Sequence, residues 1–411
     1  VIKDFPEHLR PYTDREIPAA MQRIAAHRYF PEVAEIIFPG ITPHQAITKV
    51  LSVKTVYQFQ MEWMYAFNER VIQDTMENFT YHISPQIKPK TGYLYISNHR
   101  DIILDSSLLQ MVLVFNNLPT SMITYGDNLL VNQLAEDIAR SNKMFKVVRQ
   151  GNRRELFKNS LLLSEFIRTC IREGDSCWIA QRNGRTKDGS DKTSQALVKM
   201  MAMSGDRNDP VDNYAALNIV PVSVSYEYEP CDFLKTRELL FVSDGKNYEK
   251  EEGEDLNSMY TGVTQWKGKV HICLRDPITR DDLEPYRHGD FNTFAAGLSN
   301  LIDSRIYKGY KCFPTNFIAC DLLRSEIDGG GVVGGSGERY SAQEKAAFLK
   351  RLEKIADPPL MLIEQSIEGF PRIDFKQLSA EEYTKARRIF LGIYANPVFN
   401  AMKAQETAPD L

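Results

Sequence analysis

From Tyr93 onward the 411-residue sequence alternates short apolar runs with longer amphipathic stretches, and that alternation limits the fold more than any other feature. Tyr93 to Ser97, Ser121 to Tyr125, Phe145 to Val148, Ser176 to Ala180, Ile219 to Val224 and Val270 to Leu274 have the length and residue types of strands. Amphipathic segments such as Leu104 to Leu113 and Glu155 to Arg172 lie between them. Strands that alternate with helices predict an α/β domain over 89–290, with a central, mostly internal sheet flanked by helices. Residues 1–88 read as a helical N-terminal region: charged and aromatic positions recur at helical spacing from Glu16 to Glu35 and from Val53 to Met76, divided by the turn at Pro39-Gly40 and Pro43. Pro85, Pro89 and Gly92 mark the break to the sheet. Residues 291–411 read as a helical C-terminal region, in which Ser341 with Glu344 and Ser379 with Glu382 are capping boxes.

Composition excludes several classes. With 43% apolar and 25% charged residues the chain can bury a core, and a formal net charge of −4 offers no global field for nucleic acid. Cys170, Cys177, Cys231, Cys273, Cys312 and Cys320 have no C-x-x-C spacing and read as reduced, mostly buried thiols of a cytosolic protein. No run approaches the ~20 apolar residues that span a bilayer. Val1 to Arg10 carries Lys3, Asp4 and Glu7 without an apolar centre, so it does not read as a signal peptide.

Four blocks carry candidate chemistry. In the first, the strand Tyr93 to Ser97 runs straight into Asn98-His99-Arg100-Asp101 and then a helix containing Asp105. Loops at the carboxyl ends of strands are exposed yet rigidly held, so a histidine there can act as a general base with an aspartate orienting it. Alone, the pair reads as a loop histidine beside a capping carboxylate. The second block ends the run Phe145 to Val148 with Arg149, and by itself is a solvated basic turn. The third is Ile179-Ala180-Gln181-Arg182-Asn183-Gly184-Arg185-Thr186-Lys187-Asp188-Gly189: a strand emptying into a loop with three cations around a glycine, suited to phosphate but equally to a basic surface hairpin. The fourth, Asn218 to Val224 with Pro221, says only strand.

Taken in order, these blocks over residues 90–230 resemble the glycerolipid acyltransferase family, and most nearly its bacterial 1-acylglycerol-3-phosphate acyltransferases without membrane spans. The first is similar to that family's N-H-x-x-x-x-D signature, the second to its arginine-ended segment, the third to its E-G-x-R-S-type loop and the fourth to its proline-containing strand. The resemblance implies His99 as base, Asp105 as its orienting partner, and Arg149, Arg182, Asn183, Gly184, Arg185 and Lys187 as contacts to a phosphate-bearing lipid acceptor. It also implies acyl-CoA or acyl-carrier protein as donor, no cofactor or metal, a membrane surface at the inner, cytoplasmic side, and phosphatidic acid as product. Other acceptors it admits are glycerol 3-phosphate and an amino-acid lipid; a catalytically silent lipid- or carrier-binding relative is a different class.

The chain departs from the family in three places. Five residues separate His99 from Asp105 where four are usual, so the loop must bulge or the helix start must shift, and Asp101 stands as a second candidate partner. Asn183 replaces the usual glutamate, and Lys143 a usual glycine. Other features read as structural. Gly329 to Gly334 fits G-x-G-x-x-G only as a loop following a helix, and His271 sits in a strand. Trp63, Met64, Tyr65 and Phe67 fit a helix core. Tyr226, Tyr228 and Glu229 are candidate walls of an acyl tunnel.

Overall fold

The computed structural model describes residues 5–129, 132–148, 151–243, 245, 247–250, 253–327, 339–356 and 377–406. Seven strands, β1 (Met76–Ile83), β2 (Leu94–Ser97), β3 (Met122–Gly126), β4 (Met144–Val147), β5 (Cys177–Ala180), β6 (Ile219–Tyr226) and β7 (Gly268–Leu274), form one sheet in the order β1-β7-β6-β2-β5-β3-β4. All neighbours are parallel except β6 and β7. The carboxyl ends of β2, β5 and β6 therefore share one edge of the sheet, beside the amino end of β7. Helices of eight residues or more are α1 (Ile17–Ala26), α2 (Phe30–Ile37), α3 (Pro43–Ser52), α4 (Tyr65–Thr75), α5 (Leu104–Phe115), α6 (Gln133–Ser141), α7 (Arg153–Arg172), α8 (Asp232–Ser243), α9 (Glu254–Thr264), α10 (Phe291–Lys308), α11 (Pro314–Ile327), α12 (Ala342–Glu353) and α13 (Ala380–Glu406).

Every residue of β2 and β3 is buried, which explains their unbroken apolar character: a strand covered on both faces has no reason to alternate. Leu94, Ile96, Cys177, Ile179 and Ile219 face one layer, where Phe166 and Ile167 of α7 pack with Phe294, Leu298 and Ile302 of α10. Tyr93, Tyr95, Trp178, Val220 and Val222 face the other, against Leu104, Leu108 and Val112 of α5. The sheet is thus an internal layer between helices, an α/β fold with helical extensions. The N-terminal helices pack around Phe30, Phe59 and Trp63, and α11, α12 and α13 around Phe348, Phe390 and Tyr394 together with Phe233 of α8.

One strand corrects the sequence reading. Residues 76–83 belong to β1, not to a helical region, and pair with β7 from Met76↔Gly268 to Ile83↔Leu274. Phe79, Thr80, Tyr81 and Ile83 favour an extended chain, but at an edge only part of the strand is buried, so no clear period of two shows in the sequence. Both expected capping boxes are present, at Ser341 with Glu344 and at Ser379 with Glu382. The glycine-rich stretch 329–337 lies outside the described residues. Among the described residues no helix is long and apolar enough to cross a membrane, and no group of three or more His, Cys, Asp or Glu side chains is placed to hold a metal ion. All six cysteines are unpaired, five of them buried.

Candidate active site

β2 delivers His99 to the shared carboxyl edge, and the residues that follow explain how a five-residue spacer still closes on Asp105. Asp101 Oδ1 accepts the backbone N–H groups of Ile103 (2.9 Å) and Leu104 (2.8 Å), folding the extra residue into a tight turn before α5. The helix then starts at Leu104 and presents Asp105 in its first turn. Asp105 Oδ2 lies 2.9 Å from His99 Nδ1 and also accepts the N–H groups of Arg100 (2.6 Å) and Asp101 (2.9 Å). Its Oδ1 accepts the hydroxyl of Tyr226 at 2.8 Å. The partner of His99 is therefore Asp105, and Asp101 is the turn-former. Buried Asp101 has its pKa raised, by desolvation first and then by the charge of Asp105.

Asp105 is fully buried, whereas the His99 side chain keeps 13% exposure, so the imidazole can be reached from outside while its carboxylate cannot. With Nδ1 turned to a carboxylate, the proton sits on Nδ1 and Nε2 has the free lone pair, the tautomer a general base needs. The ring stands edge-on to Trp178 of β5 at 5.9 Å between centroids, and Trp178 Nε1 donates to Ser97 Oγ at 3.0 Å. Burial pushes the Tyr226 phenol well above its ordinary pKa, so it remains a donor to Asp105. It supports the Asp105 carboxylate from the interior.

The loop after β5 comes to the same place. Gln181 N donates to the Ser97 carbonyl at 2.8 Å and Thr186 N to the His99 carbonyl at 2.7 Å, which ties the loop carrying Arg182, Asn183, Gly184, Arg185 and Lys187 to the end of β2 on both sides. Gly184 has φ +71, a left-handed conformation that glycine adopts without strain. Asn183 is exposed. Arg185 Nη1 is buried without a hydrogen-bond partner among the described residues, and its charge acts on Asp101 and on the Cys231 thiol. A buried guanidinium nitrogen with an unused N–H can take an anionic oxygen. Lys187 is ion-paired to Glu238 of α8. Burial first, then the charges of Lys250, Arg185 and Arg182, bring its pKa down to about 8; the Glu254 carboxylate opposes that fall and is outweighed. Arg149 lies outside the described residues. Lys143, standing where a glycine is usual, has φ +57, so the backbone there keeps the glycine-like conformation.

Sequence reasoning missed a buried charge cluster behind the loop. Arg100 binds Asp191 through Nε (3.0 Å) and Nη2 (2.5 Å) and Glu229 through Nη1 (3.0 Å). Lys235 of α8 bridges Glu229 Oε1 (2.5 Å) and the Arg100 carbonyl (2.7 Å). Two cations and two carboxylates compensate one another, as buried charges must. Arg100 adjoins His99 in the sequence and could have been suspected, but Asp191 and Glu229 lie 91 and 129 residues away from it and carry no local signal.

An accessible imidazole backed by a buried, fully bonded carboxylate, with a cationic loop against it at the carboxyl edge of an α/β sheet, makes a candidate general-base site. Residues 78–225, from β1 into β6, match the family model described as Acyltransferase. The chain is similar in structure to the 1-acyl-sn-glycerophosphate (LPA) acyltransferase PlsC from Thermotoga maritima, with 13% identity and a TM-score of 0.34, over 70% of this chain and 93% of that one. No match was found among curated proteins.

Proposed function

We propose that this acyltransferase moves a fatty acyl group from a thioester, acyl-CoA or acyl-carrier protein, to the free hydroxyl of 1-acylglycerol 3-phosphate, giving phosphatidic acid. The observation that carries the reading is the His99–Asp105 pair: Asp105 holds Nδ1, and Nε2 is free to take the acceptor's proton. The acceptor oxygen then bonds to the thioester carbonyl carbon. Collapse of the tetrahedral adduct breaks the C–S bond, and the thiolate leaves with the proton held on Nε2, which resets the base. Arg182, Arg185 and Lys187 would hold the acceptor's phosphate, Gly184 would let it approach the backbone, and Asn183 would bond a hydroxyl. The buried, unpartnered Nη1 of Arg185 supports that assignment. The N–H groups of Arg100, Asp101, Ile103 and Leu104 at the start of α5 are already engaged by Asp105 and Asp101, so none of them serves as the oxyanion donor. Exposed Phe241, Val242 and Trp266, on the chain excursion between β6 and β7, support work at a lipid surface.

The test is thiol release from acyl-CoA and from acyl-carrier protein by purified protein, with lysophosphatidic acid, glycerol 3-phosphate or a lyso-amino-acid lipid as acceptor, beside a folded His99→Ala control. Release that depends on lysophosphatidic acid and vanishes in the control supports the reading, whereas preference for another acceptor reassigns the substrate. A folded wild type that releases thiol with no pairing, or a control of full activity, ends the His99 mechanism and leaves a binding protein.

A further inference from the structure

The cationic loop after β5 is not held by the sheet domain alone. Along α13, Ile393, Asn396 and Asn400 recur at helical spacing, and all three meet that loop. Asn396 Nδ2 donates to the Asp188 carbonyl at 2.6 Å, and Asn400 Nδ2 to the Ser190 carbonyl at 2.9 Å. Between those two points Gly189, at φ +78, lies so close to the Ile393 carbonyl oxygen that a Cβ there would overlap it. α13 also carries Pro397 in its interior. Proline has no N–H, so the carbonyl four residues earlier, that of Ile393, is released from its helical bond. Pro397 thus leaves a carbonyl without its helical donor where the loop is seated.

The far end of the loop is tied as firmly. Tyr307 of α10 donates to the Asp191 carbonyl at 2.9 Å, and Tyr310 donates to the Asp191 carboxylate. Asp191, a buried non-glycine residue at φ +43, returns to the catalytic loop through Arg100. An unfavourable backbone conformation survives where surrounding contacts over-determine it. The loop is therefore stretched between the His99 carbonyl and the C-terminal helices, which lie outside the acyltransferase match at residues 78–225.

We propose that α13 is a working part of the acceptor site, with Asn396 and Asn400 as positioning residues that set where Arg182, Arg185 and Lys187 stand and so which head group fits. The proposal rests on the reading of that loop as the phosphate cradle. It separates two tasks: β2 and α5 position the base, and α13 positions the acceptor's charge. Disturbing the second should change acceptor recognition and spare both the chemical step and the thioester.

The test is steady-state kinetics of full-length Asn396→Ala/Asn400→Ala, and of Asn396→Asp/Asn400→Asp, which keeps side-chain volume and removes the donors. KM for lysophosphatidic acid should rise about tenfold, the equivalent of about 1.4 kcal/mol. The kcat and the KM for acyl-CoA should stay within about twofold, with the melting temperature within a few degrees. Pro397→Ala, which restores the helical bond at Ile393, should raise the same KM. Turnover by the wild type with an unchanged acceptor KM in all folded variants overturns this proposal alone, and so does a loss shared equally by kcat and both KM values. A wild type that transfers no acyl group overturns the functional reading, and this proposal with it.

Discussion

Under the proposed mechanism, Asp105→Asn separates the charge of the carboxylate behind His99 from its geometry. Asp105 Oδ2 accepts three donors, His99 Nδ1, Arg100 N and Asp101 N, while Oδ1 accepts only the Tyr226 hydroxyl. An asparagine that sets its carbonyl oxygen in the place of Oδ2 keeps those three bonds. Its amide can donate to the Tyr226 oxygen, since a phenol accepts as well as donates. The loop, the turn at Asp101 and the tautomer of His99 are then preserved, and only the negative charge is lost. That charge matters when Nε2 has taken the acceptor's proton and the ring is a cation. Two unit charges about 4 Å apart at an effective dielectric of about 20 interact by roughly 4 kcal/mol. At about 1.4 kcal/mol per tenfold, the step should slow by about three orders of magnitude. Because the Asp105 carboxylate lies behind the imidazole with no exposure of its own, the KM values for both substrates should remain within about twofold. Thiol release under saturating acceptor and donor reads kcat, and circular dichroism with thermal melting verifies the fold. A loss in kcat below tenfold in a folded variant would refute the electrostatic account. A loss confined to KM would place Asp105 in substrate binding instead.

Tyr226→Phe leaves Asp105 Oδ1 buried and short of its donor, so it should lower stability by about 1.5–3 kcal/mol, seen as a shift in the urea midpoint, with an unshifted midpoint counting against the bond. Lys187 has its pKa lowered to about 8 by burial and nearby cations, so it is charged below that pH and loses its proton above it. KM for a phosphate acceptor should accordingly be flat below about pH 8 and climb above it; Lys187→Arg should abolish the climb, and an identical profile in that variant removes Lys187 from the phosphate site. Arg351 of α12 makes bonds of 2.7 and 2.8 Å to the fully buried Asp232 of α8. Arg351→Met should destabilise the protein by about 3–5 kcal/mol, because Asp232 is left as a buried charge with no cation, supported by the Tyr394 hydroxyl and the Phe233 N–H, and a denaturation midpoint near that of wild type would show the pair to be dispensable.

What could be read in advance follows from how far apart the interacting residues lie. The internal strands were legible because burial on both faces makes them uniformly apolar, and the junction of β2 with α5 because strand, His99 and Asp105 are contiguous. β1 escaped because an edge strand is only partly buried. The closing of the His99–Asp105 spacer by Asp101 was within reach, since aspartate is a turn-former, yet its outcome needed coordinates: the same residue types allowed Asp101 or Asp105 to face the histidine. Arg185 and Lys187 were legible as cations, but the pairing of Lys187 with Glu238 and the unpartnered Nη1 of Arg185 were not.

By itself, then, the sequence determined the local pattern: an α/β alternation, a histidine and a carboxylate at one strand end, and a basic loop at another, all set by residue type and periodicity over a dozen residues or fewer. The tertiary structure alone decided that Tyr226 would finish the shell of Asp105, that Asp191 and Glu229 would neutralise Arg100, and that α13 would seat the cationic loop at the Ile393 carbonyl. The physical reason is that periodicity records which face of an element is buried. It does not record which distant element does the burying, and buried charges find their partners only once the chain has brought them together.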